Sequence, residues 1–157
     1  MDRTLFLQLA AEHKDTVYRV ALNMLGSAQD ADDVVQETLI RLLERKEPFE
    51  SAAHAKNWLI RVAMNQSRSV LRSPWRRRRA ELTAAQASAP DEERRLLAAV
   101  MALPEKQRTA LYLFYYEGYS VKELAELLGL SETAVTSRLA RARQRLKREL
   151  EEVCDNG

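Results

Sequence analysis

The chain is short of the residues that punctuate or cross-link a fold. Its 157 residues include four glycines, four prolines, two histidines and one cysteine. The single cysteine, Cys154, lies in a polar stretch near the end. It excludes a disulfide framework and suits a reducing cytoplasm. His13 and His54 stand apart, and no Cys/His cluster offers ligand spacing, so no metal centre is expected and both histidines read as structural or surface residues. Neither half shows the apolar–polar alternation or the hairpin turns of a sheet. No apolar run approaches the roughly 18 residues of a membrane span. The start, with Asp2 and Arg3 leading straight into an amphipathic pattern, does not read as a signal peptide. There is no phosphate-binding glycine loop, no nucleophile–histidine–acid set and no carboxylate pair in an apolar setting. The sequence therefore offers no catalytic constellation and no cofactor site.

What is abundant is charge, and it is sorted. With 25 basic and 23 acidic residues the chain is only +2. Yet residues 56–79 hold eight bases and no acid: Lys56, Arg61, Arg68, Arg72, Arg76, Arg77, Arg78 and Arg79. A second acid-free block carries Arg138, Arg141, Arg143, Arg145, Lys147 and Arg148. Two basic surfaces on a near-neutral chain suit a polyanion held at two places.

Abundant Ala, Leu, Glu and Arg favour helix throughout. A first helix is expected over about residues 4–25, with Leu5, Leu9, Val17, Val20 and Met24 at helical intervals and Gly26 as its stop. Ser27 can cap a second helix with Asp30, Asp32 and Asp33 in its first turn and Val34, Val35, Leu39, Leu42 and Leu43 inward. After a loop at about 46–53, a third helix buries Trp58, Leu59, Val62, Ala63 and Val70, and Pro74 ends or kinks it. Residues 80–90 (AELTAAQASAP) lack periodicity and read as a linker. Asp91, Glu92 and Glu93 open a further helix with Leu96, Leu97, Val100 and Met101 on one side. Pro104 suits the first position of the next, which Gly118 ends. The expectation is an all-α chain of two small helical domains, residues 1–79 and 91–157, joined by the linker at 80–90.

The second half carries a helix-turn-helix. Ser120 and Glu123 form a capping box ahead of VKELAELL, and Gly129 ends that short helix. Ser131 caps a longer one. Ala125 is small where two helices cross, and Val135 can plug the core between them. On the long helix Val135, Leu139, Ala142, Leu146 and Leu150 form the buried stripe. Thr136, Ser137, Ala140 and Arg141 lie off it, at the end that enters a major groove. Arg141 can pair bidentately with guanine, and Thr136 and Ser137 can bond bases or phosphates. Arg138, Arg143, Arg145, Lys147 and Arg148 suit phosphates, which position without reading sequence.

Four segments occur in order: DADDVVQETLIRLL (30–43), NWLIRVAMNQSRSVLR (57–72), LPEKQR (103–108) and AVTSRLARARQRL (134–146). Together they resemble the extracytoplasmic-function (ECF, group IV) class of bacterial sigma factors in the sigma-70 family, over about residues 6–150. The absence of an extra N-terminal or middle domain fits this minimal class. The resemblance implies that residues 1–79 are sigma region 2 and residues 91–157 sigma region 4. It implies that residues 30–43 dock on core RNA polymerase, with Asp33, Gln36 and Glu37 at the contact. The charge agrees, since residues 27–50 hold seven acids against three bases. It further implies that residues 56–79 open and hold the minus-ten promoter region through Lys56, Asn65, Arg68, Arg72, Arg76 and Arg77. Asn65 matches a position near a flipped base, and the preceding loop, about 48–56, would pocket that base. Trp58 is expected in the core because it shares a face with Val62. Thr136, Ser137, Ala140, Arg141 and Arg138 match positions at the minus-thirty-five element. Ser69 departs from a family position that is often acidic, and Ala140 offers only a thymine-methyl contact.

The implied function is to direct core RNA polymerase to promoters, without an active site of its own, and an anti-sigma protein is the implied regulator. Two other readings stay open. A stand-alone helix-turn-helix repressor would bind a palindromic operator tightly without polymerase. A protein-only anti-sigma or adaptor would show no salt dependence of promoter binding.

Overall fold

A computed structural model describes residues 1–74 and 91–155. Arg76, Arg77, Arg78, Arg79 and the expected linker at 80–90 lie outside the described residues. The described residues form seven α-helices: α1 (Arg3–Leu25), α2 (Ala28–Glu44), α3 (Ala52–Leu71), α4 (Asp91–Met101), α5 (Glu105–Tyr115), α6 (Val121–Leu128) and α7 (Glu132–Asp155). No strand occurs among them. The chain divides into two compact units, Met1–Arg76 and Arg77–Gly157.

In the first unit α1, α2 and α3 all pack on one another. Gly26 stops α1 in the left-handed region (φ 67°), its N–H reaching the Leu22 carbonyl at 2.7 Å. The next residue begins α2: the Ser27 hydroxyl accepts from the Asp30 N–H at 3.2 Å. Ser51 does the same for His54 at 3.0 Å and starts α3, a cap absent from the sequence reading. Val17, Val20, Met24 and Leu25 of α1 meet Val34 and Leu42 of α2 and Leu59, Ile60, Ala63 and Met64 of α3 in the core.

Several expectations shift. Only Asp30 lies in the first turn of α2, where it is nearly buried; Asp32 and Asp33 fall one turn later and face solvent. The buried row of α2 is Ala31, Val34, Thr38 and Leu42, so Leu43 is exposed and Val35 and Leu39 are only half-buried. Steps of three and four from Ala31 run through Thr38, and a purely apolar search skips it. Trp58 is half-buried, outside the core, and so is Val70. α3 ends at Leu71, before Pro74, because the residue preceding a proline is pushed out of helical geometry.

In the second unit α7 is the spine, and α4, α5 and α6 each pack against it. Leu103, Ala110, Leu113, Tyr119, Leu124, Leu127, Val135, Leu139 and Ala142 make the core. The LPEKQR segment has a structural cause. Arg108 is buried and donates to the Leu103 carbonyl at 2.8 Å, satisfying the chain where α4 ends and α5 begins. Pro104 sits at the N-cap of α5, one residue before its expected place; its carbonyl accepts from Gln107 and Arg108, both at 3.0 Å. Gly118 lies beyond the end of α5 in a left-handed turn (φ 77°). Leu96 and Leu97 of α4 are exposed, Val100 and Met101 are half-buried, and Ala99 takes the fully buried place.

Candidate nucleic-acid interface

The helix-turn-helix is built by local chemistry. The Ser120 hydroxyl accepts from the Glu123 N–H and the Glu123 carboxylate from the Ser120 N–H, each at 3.1 Å, closing the capping box. α6 lasts eight residues and stops at Gly129 (φ 68°). The Ser131 hydroxyl accepts from Ala134 N–H at 3.1 Å and starts α7. Val135, Leu139 and Ala142 are buried, as the spacing predicts, whereas Leu146 and Leu150, expected in the same stripe, are only half-buried.

That stripe turns Thr136, Ser137, Ala140 and Arg141 to solvent, with Arg138 half-buried beside them. The five residues expected at a duplex thus share the first turns of one helix. The cations of this helix are not equivalent. Arg145 pairs with Glu149 at 2.8 Å. Arg143 donates to the Tyr115 hydroxyl at 2.9 Å. Arg138, Arg141, Lys147 and Arg148 have no hydrogen bond or ion pair among the described residues. A phosphate or base edge can engage them without breaking an internal contact.

On α3 the structure brings some expected residues together and separates one. Trp58, Arg61, Asn65, Arg68 and Arg72 follow at three- and four-residue steps and form one row. Asn65 and Arg72 are exposed; Trp58, Arg61 and Arg68 are half-buried. Arg61, counted in the basic block but not among the residues singled out for the minus-ten strand, belongs to this row. Lys56 does not. It lies on the other side of α3; burial holds His13 below the ordinary 6.5, Glu12 opposes that, and the Lys56 charge adds a smaller push downward.

The loop 45–51 lies beside Trp58. The Arg45 guanidinium sits 4.3 Å from the Phe49 ring centre and 5.0 Å from that of Trp58. The two rings are 5.6 Å apart. Arg45 Nε–H also donates to the Glu47 carbonyl at 3.0 Å, and the Glu50 N–H donates to His54 Nδ1 at 3.1 Å. Such cation–π contacts contribute about 0.5–2 kcal/mol each, the larger values where water is excluded. This cluster escaped sequence reading. Its only signal was an aromatic and an arginine flanking Pro48.

On α2, Asp33 and Gln36 are exposed and Glu37 is half-buried, paired with Arg41 at 3.3 Å. Ile40 and Leu43, about half exposed, share that side of the helix. An acidic face with apolar members differs from a face that only complements the helix dipole.

Residues 9–77 match the family model for Sigma-70 region 2, and residues 93–146 the model for Sigma-70, region 4. The ECF RNA polymerase sigma factor SigL of Mycobacterium tuberculosis is 34% identical over 97% of this chain and 92% of its own length. Similarity to the probable RNA polymerase sigma factor RfaY of Xanthomonas campestris is also 34%, over 87% of this chain and 38% of that longer protein. Among solved structures, the sigma factor RpoE from Bartonella quintana, in complex with the anti-sigma factor NepR, shares the fold. Its TM-score is 0.71 at 24% identity, over 93% of this chain and 96% of that one. With both family models in order along one chain, and a relative matched nearly end to end, the chain belongs to the ECF sigma factors, the promoter-directing subunits of RNA polymerase.

Proposed function

We propose that residues 1–79 form the polymerase-binding and strand-opening half, residues 91–157 the duplex-reading half, and residues 80–90 the linker between them. Thr136, Ser137, Ala140 and Arg141 meet base edges of the minus-thirty-five element, and Arg138 meets its backbone. The observation that carries this reading is the uncommitted state of Arg138, Arg141, Lys147 and Arg148 on an otherwise internally bonded helix. Cations without an internal partner beside exposed polar side chains suit a duplex.

Asn65, Arg68 and Arg72, joined by Arg61 and Trp58, face the melted minus-ten strand. The ring-and-guanidinium cluster at 45–51 supports that side, since single strands bind where cations and aromatic faces lie together. Arg76 and Arg77 extend the same charge along the chain. Lys56, on the opposite side of α3 from that row, stands outside this surface. Asp33, Gln36 and Glu37, with Ile40 and Leu43 as apolar members, dock on core polymerase. An interface of this kind needs an apolar centre within a polar rim.

The chain has no active site of its own in this reading, as the sigma family in general has none; phosphodiester chemistry belongs to the polymerase. It acts in the cytoplasm. Among the described residues no helix is long and apolar enough to cross a membrane. An anti-sigma protein covering these surfaces is the expected regulator, as the Bartonella quintana sigma factor of similar fold is found in complex with one.

The test is transcription by core polymerase with and without this chain on promoters from its own genome. Promoter-dependent transcript only with the chain present is the expected result. No stimulation on any promoter overturns the reading.

A further inference from the structure

The hydrogen bond from Arg143 to Tyr115 spans 28 residues and ties the last residue of α5 to α7. Tyr115 is 61% exposed, a large ring in water whose centre lies 4.9 Å from that of Phe114 in a T-shaped pair. We propose that Tyr115 and Arg143 together form a binding site for one DNA backbone phosphate, flanking the bases that α7 faces. The proposal rests on the reading of α7 as the duplex reader, and adds α5 as a second element touching DNA.

Hydrogen-bond direction supplies the first reason. The Tyr115 oxygen accepts from an Arg143 N–H, so its own proton is directed elsewhere and stays available to an acceptor. A donor polarised by a neighbouring cation makes a stronger bond to an anion. Charge supplies the second. Arg145 is neutralised by Glu149, whereas the partner of Arg143 is a neutral hydroxyl, so its full positive charge remains. One cation and one neutral donor match a phosphodiester, which carries a single negative charge.

Position supplies the third reason. Thr136, Ala140, Arg143 and Lys147 recur at three- and four-residue steps along one side of α7. Seven residues at about 1.5 Å each place Arg143 on the order of 10 Å along the axis from Thr136. The major groove is about 12 Å wide, so a phosphate on its edge falls within reach when Thr136 faces bases. Two donors converging from different helices fix that phosphate more firmly than a lone mobile arginine, and so set the register of the base-reading residues.

Tyr115→Phe removes the hydroxyl and keeps the ring. Full-length protein is titrated with duplex carrying its preferred minus-thirty-five element, and with the same duplex bearing single neutral methylphosphonates. Tyr115→Phe should weaken binding about tenfold, in line with the loss of one charge-assisted bond. Arg143→Gln should weaken it at least as much and make the salt slope about one unit shallower. The double variant should be weakened by less than the product of the two single effects. At one methylphosphonate position the difference between wild type and Tyr115→Phe should vanish. Unchanged affinity of Tyr115→Phe, or a wild-type advantage that survives at every methylphosphonate position, overturns the site while leaving α7 as reader intact. Wild-type protein that prefers no duplex at all, and gives no transcript with core polymerase, overturns the parent reading and this one with it.

Discussion

Both units carry their cations on a long helix, yet they use them differently. On α7, Arg138, Arg141, Lys147 and Arg148 have no side-chain partner among the described residues. On α3, Arg61 and Arg68 are half-buried and already engaged, and only Arg72 stands fully out. Beside α3 a further arginine, Arg45, is laid over two rings and its side chain is only 15% exposed. A duplex presents a fixed face, and a rigid helix with free ends can meet it as it stands. A separated strand has no fixed face. A surface whose cations are braced by aromatic rings and by the fold supplies the order that such a ligand lacks.

The sharpest way to break that contrast is to remove one core residue. Leu139→Ala should cost about 2–5 kcal/mol and lower only the melting step of the second unit, because Leu139 packs within it. Calorimetry of the full chain checks this; a matching fall in the first unit would mean the two do not behave as separate bodies. Next in size is Arg141→Ala, expected to lose about 1–3 kcal/mol on the cognate duplex and to relax base preference, with folding stability unchanged. Arg68→Ala should differ from it by lowering both the stability of the first unit and single-strand binding. Equal behaviour of the two variants in binding and melting assays would erase the distinction between free and braced cations.

Gly129→Ala should cost about 1 kcal/mol. The added Cβ meets nothing within 4 Å, so the left-handed φ of 68° is the whole cause. A loss several times larger in chemical denaturation would show that the turn is packed. The smallest effect concerns pH. Burial holds His13 below 6.5, so as pH falls below that value the unfolded chain takes up the proton first. The first unit should therefore be at full stability above about pH 6.5 and weaken slightly beneath it. His13→Gln should flatten that slope, and an unchanged slope would assign it to other groups.

The helix-turn-helix was legible almost residue by residue. Its boundaries are written in local chemistry: the Ser120–Glu123 box, Gly129 and Ser131 act on their own backbone neighbours. The exposed quartet on α7 followed from period alone. What could not be read was the side an apolar residue takes when a helix has two eligible faces. Leu43 was expected inside and is exposed, and Leu96 and Leu97, which line the apolar side of α4 in sequence, are exposed too; the buried row of α2 passes through Thr38 instead, and that of α4 through Ala99. Trp58 failed for a different reason. Its neighbours Arg45 and Phe49 lie across a loop, and a helical period contains no term for them. Lys56 was grouped with the α3 surface by charge count, which is blind to which side of a helix a charge occupies.

The brevity of α6 has a consequence for timing. Eight residues fall short of the roughly 12–15 at which a helix begins to hold itself in water. Left alone, VKELAELL would be coil for most of its time, whatever its caps contribute. It exists as helix because Leu124 and Leu127 are buried within the second unit, where α6 packs on α7. The brace and the reader should then gain and lose protection against amide hydrogen exchange as one body. Loosening α6 would uncover Leu124 and Leu127 and remove one of the three helices on which α7 packs.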